Sequence, residues 1–507
     1  MPEAMVSDIG SKKAAAAGPS LLRTGLANMS QLSLAMAITM PLGLVIKIMV
    51  PRVLGTEMAG ILFFAETFPM LVLSFIPMGI PFYIQKAVPP RHEHAVEIFS
   101  TVAIFSGLVA GLAVLTLIAF MGFAGHDPLT IRVTGIMACT QAIAIICNDF
   151  IQRIYLATGR VTLSSVVNVT AKLATTLLVL LCLWLRPELM WIAATLLAAQ
   201  TLVLAGNLLK SWQIGLMAGR FDLTLLKRML RIGLPFLFGG VLATINASIC
   251  TISLERLATF EELGFYGASQ RLLGVLLLLT PLLGQAFGPT LSRLFAYDRA
   301  AYATVASTIV RGIVVVSLPL ALGLILFRLE IIDTLFGAQF MPAHYALAAA
   351  GPVLIIVYLS SFVGISASTA TSGKYFALVL AIGATLNACG NWLLIPIGVS
   401  WLGAGGAAAG AMAATIIATG SDAYLLSKIS GVKIVDRRAS HAIMVGLSLA
   451  ALCCATLNFW DSLSLGVRIA TFITIVPTLI FALRVVSLED IRAIREAVRR
   501  RQDTASA

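Results

Sequence analysis

Residues 96–122 read VEIFSTVAIFSGLVAGLAVLTLIAFMG, and after Glu97 no charged side chain follows until Asp127. That run exceeds the roughly 20 apolar residues that carry an α-helix across a bilayer. It has neither the two-residue alternation of a half-buried strand nor the polar face of a soluble helix. Working outward, similar apolar windows separated by polar or Gly/Pro breaks give expected spans at 26–50, 58–84, 96–122, 129–152, 161–185, 189–213, 232–256, 263–290, 304–328, 344–370, 376–396, 402–427, 439–459 and 464–486. The expected fold class is all-α, a polytopic membrane protein of about 14 transmembrane helices. Composition agrees: the 507 residues are 59% hydrophobic and 11% charged, with a mean hydropathy of +0.97. Soluble domains carry about 25% charged residues, so soluble-enzyme, collagen, disordered and disulfide-framework classes are excluded.

A net charge of +12 in a soluble chain would point to nucleic acid, but here the charge sorts by side. With the N-terminus placed in the cytoplasm, 26 of the 35 basic residues fall on cytoplasmic segments and six (Arg52, Arg132, Arg186, Arg256, Arg328 and Arg468) on the opposite side, leaving Lys47, Lys172 and Arg271 within spans. Such a split predicts both termini in the cytoplasm and no nucleic-acid partner. The seven cysteines lie in apolar stretches without paired metal-ligand spacing.

The domain organisation expected is a disordered cytoplasmic tail (1–25), an N-lobe of six spans (26–213), an amphipathic cytoplasmic link (214–231), a C-lobe of six spans (232–430), two further spans (431–486) and a basic amphipathic tail (487–507). In the link, Leu223, Leu226 and Leu230 oppose Lys227, Arg228 and Arg231. The tail sets Ile491, Ile494 and Val498 against Arg492, Arg495 and Arg499, which suits an anionic leaflet of membrane lipid. An offset of 204 residues superposes Arg52, Glu57, Gly60 and Pro77 on Arg256, Glu261, Gly264 and Pro281. Both copies start at the outer end of the first helix of a six-helix block, which predicts two pseudo-symmetric lobes and alternating access between them.

Polar stripes on apolar helices mark faces turned toward protein or water. Thr244, Ser248, Thr251 and Glu255 form one on the seventh span, and Ser165, Asn168, Lys172 and Thr175 form another on the fifth. Hydroxyls and amides of this kind also glue helices together, so both readings stay open for the Ser and Thr positions. Lys172 is about eleven residues from either end of its span, roughly 16 Å at 1.5 Å per residue, too deep for easy snorkelling. Arg271 lies beside Gln270, with a fork suited to phosphate, the alternative being a pair with Glu66 or Glu255. Glu66 occupies the place that Gln270 holds in the second copy and is either a coupling acid or a salt-bridge partner. Lys47 is near enough to the outer end to snorkel. Asp149, with Arg153 one turn on, and Asp422, near the cytoplasmic end, read first as structural, with Asp149 kept as a coupling candidate. No catalytic constellation and no long outer loop points to an enzyme.

These residues resemble a known family. The segments PRVLGTEMAGILFFAETF (51–68), LRIGLPFLFGGVL (230–242), EELGFYGASQRL (261–272), GPTLSRL (288–294) and LNACGNWLLIPIGVSWLGAGGAAAGAMAAT (386–415) look like the polysaccharide-transporter branch of the multidrug/oligosaccharidyl-lipid/polysaccharide exporter superfamily. The resemblance implies a MATE-like fold of two six-helix lobes plus two extra C-terminal helices. It further implies a Wzx-type flippase in the bacterial inner membrane, moving an undecaprenyl-pyrophosphate-linked oligosaccharide to the outer leaflet alongside a polysaccharide polymerase and chain-length machinery. Relatives often carry Asp at the end of helix 7, where this chain has Glu255. The expected cationic cavity comprises Lys47, Arg52, Lys172 and Arg271, with Glu66, Glu255 and Asp149 as coupling candidates for H⁺ or Na⁺ and no other cofactor. Asn168, Thr244, Ser248, Thr251, Gln270, Gln285 and Asn387 are the expected polar lining. The alternatives are a MATE-like cation-coupled drug or metabolite antiporter and a polysaccharide polymerase or ligase.

Overall fold

The computed structural model describes residues 31–482 except 32, 89–93, 281–286, 289–290, 292, 296, 371–372 and 430–436. The two expected tails and Gln285 lie outside the described residues. Every regular element within them is helical. In chain order these are α1 (Ser33–Leu54), α2 (Thr56–Thr67), α3 (Pro69–Leu73), α4 (Ile80–Ala87), α5 (His94–Phe123) and α6 (Pro128–Ile145), a π-turn (Ile146–Ile151), α7 (Gln152–Ala157), α8 (Val161–Leu185) and α9 (Leu189–Gln213). They continue with α10 (Leu223–Leu257), α11 (Phe260–Leu276), α12 (Arg299–Leu326), α13 (Arg328–Phe336), α14 (His344–Ala370), α15 (Gly373–Leu402), α16 (Gly406–Ile429), α17 (Arg437–Ala455), α18 (Leu457–Asp461) and α19 (Leu465–Ala482).

The protein is a multi-pass membrane protein. Among the described residues nine helical segments are individually long and apolar enough to cross a bilayer, and α10 makes a tenth if its bent halves count as one span. The remaining expected spans are the shorter α17 and α19, the Gly/Ala-rich α16, and the stretch beginning with α11 that runs beyond the described residues. The ends of α8 and α9 coincide with the expected 161–185 and 189–213, because Arg186 and Pro187 interrupt the helix where the apolar run stops.

The expected second span is not one rod. Between α3 and α4 the chain turns through Met78 (φ 43°) and Gly79 (φ 70°), flanked by Pro77 and Pro81. Prolines remove backbone donors, and irregular backbone at membrane depth survives only where protein covers it. Both conditions are met: the amides of Ser74, Ile76 and Ile80 bond to Met70, Leu73 and Pro77, and Ile76 and Ile80 are fully buried. A side chain at Gly79 would overlap the backbone of Gly233.

The expected link between lobes also differs from the sequence reading. After a short 3₁₀ turn (Leu216–Ala218), the link forms the first half of α10, Leu223–Leu234, and the helix bends before the half Gly239–Leu257 that carries the seventh span. Its buried stripe is Leu225, Leu226 and Met229 rather than the expected Leu223, Leu226 and Leu230, while Lys227, Arg228 and Arg231 are exposed. Asp222 sets this rotation, its amide bonding to Thr101 and its carboxylate accepting from the Thr224 amide.

The chain divides into two compact units, residues 1–50 with 69–237 and residues 51–68 with 238–507. Residues 51–68, expected in the N-lobe, thus pack with the C-terminal half. In the first unit α9 packs on α6 and α8, and α5 on α6. In the second, α16 lies against α14 and α15. Side chains at Gly398, Gly406 or Gly410 would overlap the facing backbone, so the small residues of 398–410 let α15 and α16 touch main chain to main chain. The C-terminal helices are fastened by two ion pairs, Arg328 to Asp461 and Arg468 to Glu330, with both arginines buried. Sequence reading had placed these arginines only as outer-side loop charges.

Candidate functional site

In the second unit the two copies of the 204-residue repeat meet each other: α2 packs along α11. A side chain at Gly60 would overlap the Phe260 carbonyl, and one at Gly264 would overlap the Thr56 carbonyl. Residues 56 and 260, like 60 and 264, are equivalent under the repeat, so the contact is reciprocal and an approximate twofold axis relates the two helices. Beyond the glycines, Arg271 donates to Glu66 at 3.1 Å, with the guanidinium side chain 5% exposed and the carboxylate 35%. The Phe63 ring lies 5.8 Å from the guanidinium and packs edge-on against Tyr266, whose hydroxyl accepts from Gln270 at 2.5 Å. Of the two readings of Arg271, the structure realises the ion pair with Glu66, which cancels one acid against one base at this depth.

In the first unit Lys172 runs against α1. A Cβ built on Gly43 would lie 3.1 Å from its Cε and 3.2 Å from its Nζ. Lys47 is one turn beyond Gly43 on the same helical face and is exposed, so two cationic side chains share one region of this unit. Asn168, one turn before Lys172, is engaged otherwise: it exchanges two amide bonds with Gln152, at 2.8 and 2.6 Å, and Ser164 donates to the same Gln152 at 2.8 Å. Asn168 therefore joins α7 to α8.

The stripe on α10 resolves into two. Thr244 bonds its own helix at Gly240, Ser248 and Thr251 are buried, and Glu255 pairs with neighbouring Arg256 at 3.2 Å. The adjacent stripe, Asn246 and Cys250, makes the cross-helix contacts. Asn387 donates to Asn246 at 3.1 Å and accepts from Asn391 at 2.9 Å, while the Cys250 thiol lies 3.5 Å from the Asn387 amide oxygen and 3.3 Å from the Thr415 hydroxyl. Of this cluster, sequence reading singled out Asn387 alone; the signal available was the i, i+4 spacing of Asn246 with Cys250 and of Asn387 with Asn391.

Arg52 donates to the Thr334 carbonyl at 2.8 Å and its own carbonyl accepts from Gln339, so its guanidinium caps the C-terminal end of α13. Asp149 pairs with Arg153 at 3.3 Å within the π-turn region. A buried carboxylate that the sequence does not single out is Glu262 on α11, which caps the start of α16 by accepting from the amides of Gly405 at 2.6 Å and Ala408 at 3.0 Å. These charge-assisted bonds satisfy a helix N-terminus in the protein interior. Glu262→Ala is expected to cost about 1–3 kcal/mol, and Glu262→Gln less, read from thermal unfolding of the purified protein in detergent. Among the described residues no group of three or more His, Cys, Asp or Glu is placed to hold a metal ion.

Residues 26–295 match the family model described as polysaccharide biosynthesis protein. Among solved structures, the chain is similar to the lipid II flippase MurJ in an inward closed conformation, with a TM-score of 0.57 at 14% identity, covering 86% of this chain and 98% of that one. It is similar to an inward-facing multidrug resistance MATE family transporter of the MOP superfamily, with a TM-score of 0.62 at 12% identity, covering 85% and 99%. It is similar also to a mutant of the Vibrio cholerae MATE transporter VcmN, with a TM-score of 0.53 at 14% identity, covering 81% and 97%. The search of curated proteins returned no significant sequence match.

Proposed function

Because the chain belongs to the polysaccharide biosynthesis protein family and folds as a MATE- and MurJ-type transporter, we propose that it is a flippase for an anionic, lipid-linked oligosaccharide. The observation that carries this reading is the placement of Lys172 inside the first unit against Gly43, on the α1 face that also bears Lys47. Ammonium groups at membrane depth are costly and need a purpose, and a pyrophosphate headgroup provides one. Lys47 and Lys172 carry a formal charge of two, similar in size to that of a pyrophosphate. The polyprenyl tail stays in lipid while the headgroup crosses. An inside-negative potential favours outward movement of an anion by about 2.3 kcal/mol per charge per 100 mV, so voltage assists the step without requiring a coupling ion.

In this proposal the protein sits in the bacterial inner membrane with both termini in the cytoplasm, supplying a polymerase and its chain-length partners on the outer side. A coupling ion, if one is used, is H⁺ or Na⁺. Glu66, Asp149 and Glu255 are its candidates on this reading, each beside an arginine. Replacement of Lys172 by Gln is expected to trap lipid-linked saccharide in the cytoplasmic leaflet by at least a tenfold drop in flipping, with Lys172→Arg retaining activity and both proteins inserting normally. Unimpaired flipping by Lys172→Gln overturns the cationic-site reading. Sensitisation of a deletion strain to organic cations, without trapped saccharide, would instead favour the drug-antiporter alternative.

A further inference from the structure

Asp422, read from the sequence as structural, meets no charged partner among the described residues. The residue is 4% exposed, and Oδ1 is fully buried with no hydrogen-bond partner among the described residues. Other acids in this unit are answered: the buried Glu262 by two backbone amides, and the more exposed Glu330 and Asp461 by Arg468 and Arg328. The Asp422 carboxyl presses on α15 at Gly383, where any added side chain would overlap it. It also lines a cavity of about 440 Å³ between α14, α15 and α16, with Ser360, Ser361 and Thr419 among apolar walls that include Phe376 and Leu380.

Apart from Asp422, no described ionisable side chain lines this cavity from the helices packed around it. On α14, Tyr358 donates to the Leu276 carbonyl and His344 bonds to Met341 at the far end. Tyr375 on α15 and Tyr424 on α16 are exposed. On α11, Glu262 caps the opposite end of α16 and Arg271 holds Glu66. The Lys374 side chain lies outside the described residues. A lone carboxylate buried in these surroundings costs several kcal/mol, whereas a neutral carboxylic acid costs far less.

We propose that Asp422 is an exchangeable proton-binding site of the second unit, loaded and emptied through the cavity between α14, α15 and α16. In loading, the carboxylate takes a proton from hydronium in the cavity and leaves water; in unloading, the acid returns the proton to water. The hydroxyls of Ser360, Ser361 and Thr419 give that water polar neighbours on an otherwise apolar path. Gly383 is the positioning residue, because only a residue without a side chain leaves room for the carboxyl at this helix crossing.

The site is tested without any transport substrate, so its fate is separate from that of the flippase reading. Full-length protein in nanodiscs is titrated from acidic to alkaline buffer while infrared difference spectroscopy follows the carbonyl stretch of protonated carboxylic acids. The expected result is a titrating, deuterium-sensitive band that vanishes in Asp422→Asn and moves in both Asp422→Glu and Gly383→Ala. A band unaffected by these substitutions, or one that belongs to Asp422 but never titrates, overturns the proposal, the second outcome marking a permanently protonated structural acid. Replacing choline by Na⁺ at constant pH is expected to leave the band in place, and its bleaching by Na⁺ would overturn the proton assignment in favour of a metal cation. The Asp422→Glu and Gly383→Ala variants keep the test decisive if Asp422→Asn does not fold.

Discussion

Gly264→Leu is expected to separate α2 from α11 and to abolish transport. The two helices touch through their main chains at Gly60 and Gly264, and a side chain at either position would enter the space of a facing carbonyl oxygen. Neither oxygen can move independently of its helix, so relief requires the helices to part along their length. Overpacking of a well-filled site costs about 1–3 kcal/mol where side chains can adjust, and here the obstacle is backbone. The parting also draws Arg271 away from Glu66 and leaves a buried guanidinium without its acid.

A cysteine pair reports the separation directly. A Cβ built on Gly267 lies 3.1 Å from the Phe63 Cβ, near the roughly 3.5–4.5 Å that a disulfide spans. Phe63→Cys with Gly267→Cys is expected to cross-link readily in a background lacking the native cysteines, and the yield is expected to collapse once Gly264→Leu is added. Equal cross-linking with and without Gly264→Leu would show that the helices do not depend on the glycine contact.

The second large effect is expected from Asp461→Asn. Arg328 is 1% exposed, bonded to Asp461 and to the Ile325 carbonyl at 3.2 Å. Removing the acid leaves the guanidinium buried with only carbonyl partners; breaking a fully buried pair costs about 3–5 kcal/mol, and the partial exposure of Asp461 sets the expected loss below that. Replacing both partners by apolar residues, Arg328→Met with Asp461→Leu, is expected to restore most of the loss, because no uncompensated charge then remains. Thermal unfolding of the wild type, Arg328→Met, Asp461→Leu and the double variant completes a double-mutant cycle. Additive losses from the two substitutions would exclude the coupling.

Much of the fold was legible because a bilayer imposes one simple demand, a long apolar helix, and the chain announces each break. The bounds of α8 and α9 are visible in Arg186, Pro187 and the apolar runs around them. The break at Met78 and Gly79 was less legible, since prolines and glycines are tolerated within spans and hydropathy does not distinguish a kink from a turn. The candidate site was legible in part. Depth alone identified Lys172 and Arg271, but which partner each would meet depends on packing that spacing along one helix cannot supply. Thus Asn168 turned to Gln152, and Arg52 to the carbonyls of α13. Arg328 and Arg468, assigned to outer loops by their position in sequence, proved to be buried fasteners of the C-terminal helices. The role proposed for Asp422 rests on its burial between three helices, which spacing along one helix does not show.

The reciprocal contact of α2 with α11 has a consequence for how such a pair can diverge. Around a twofold axis, two identical helices must present the same side chain at equivalent positions: phenylalanine facing phenylalanine would collide, and glycine facing glycine would leave a hollow. This chain has Phe63 in one copy and Gly267 in the other, and the ring occupies the space that a side chain at Gly267 would need. Likewise Glu66 is matched by Gln270, so only one of the two positions carries an acid for Arg271 to hold. Carrying both copies on one polypeptide permits a knob on one helix and a hole on the other, a closer fit than any symmetric pair of identical segments allows.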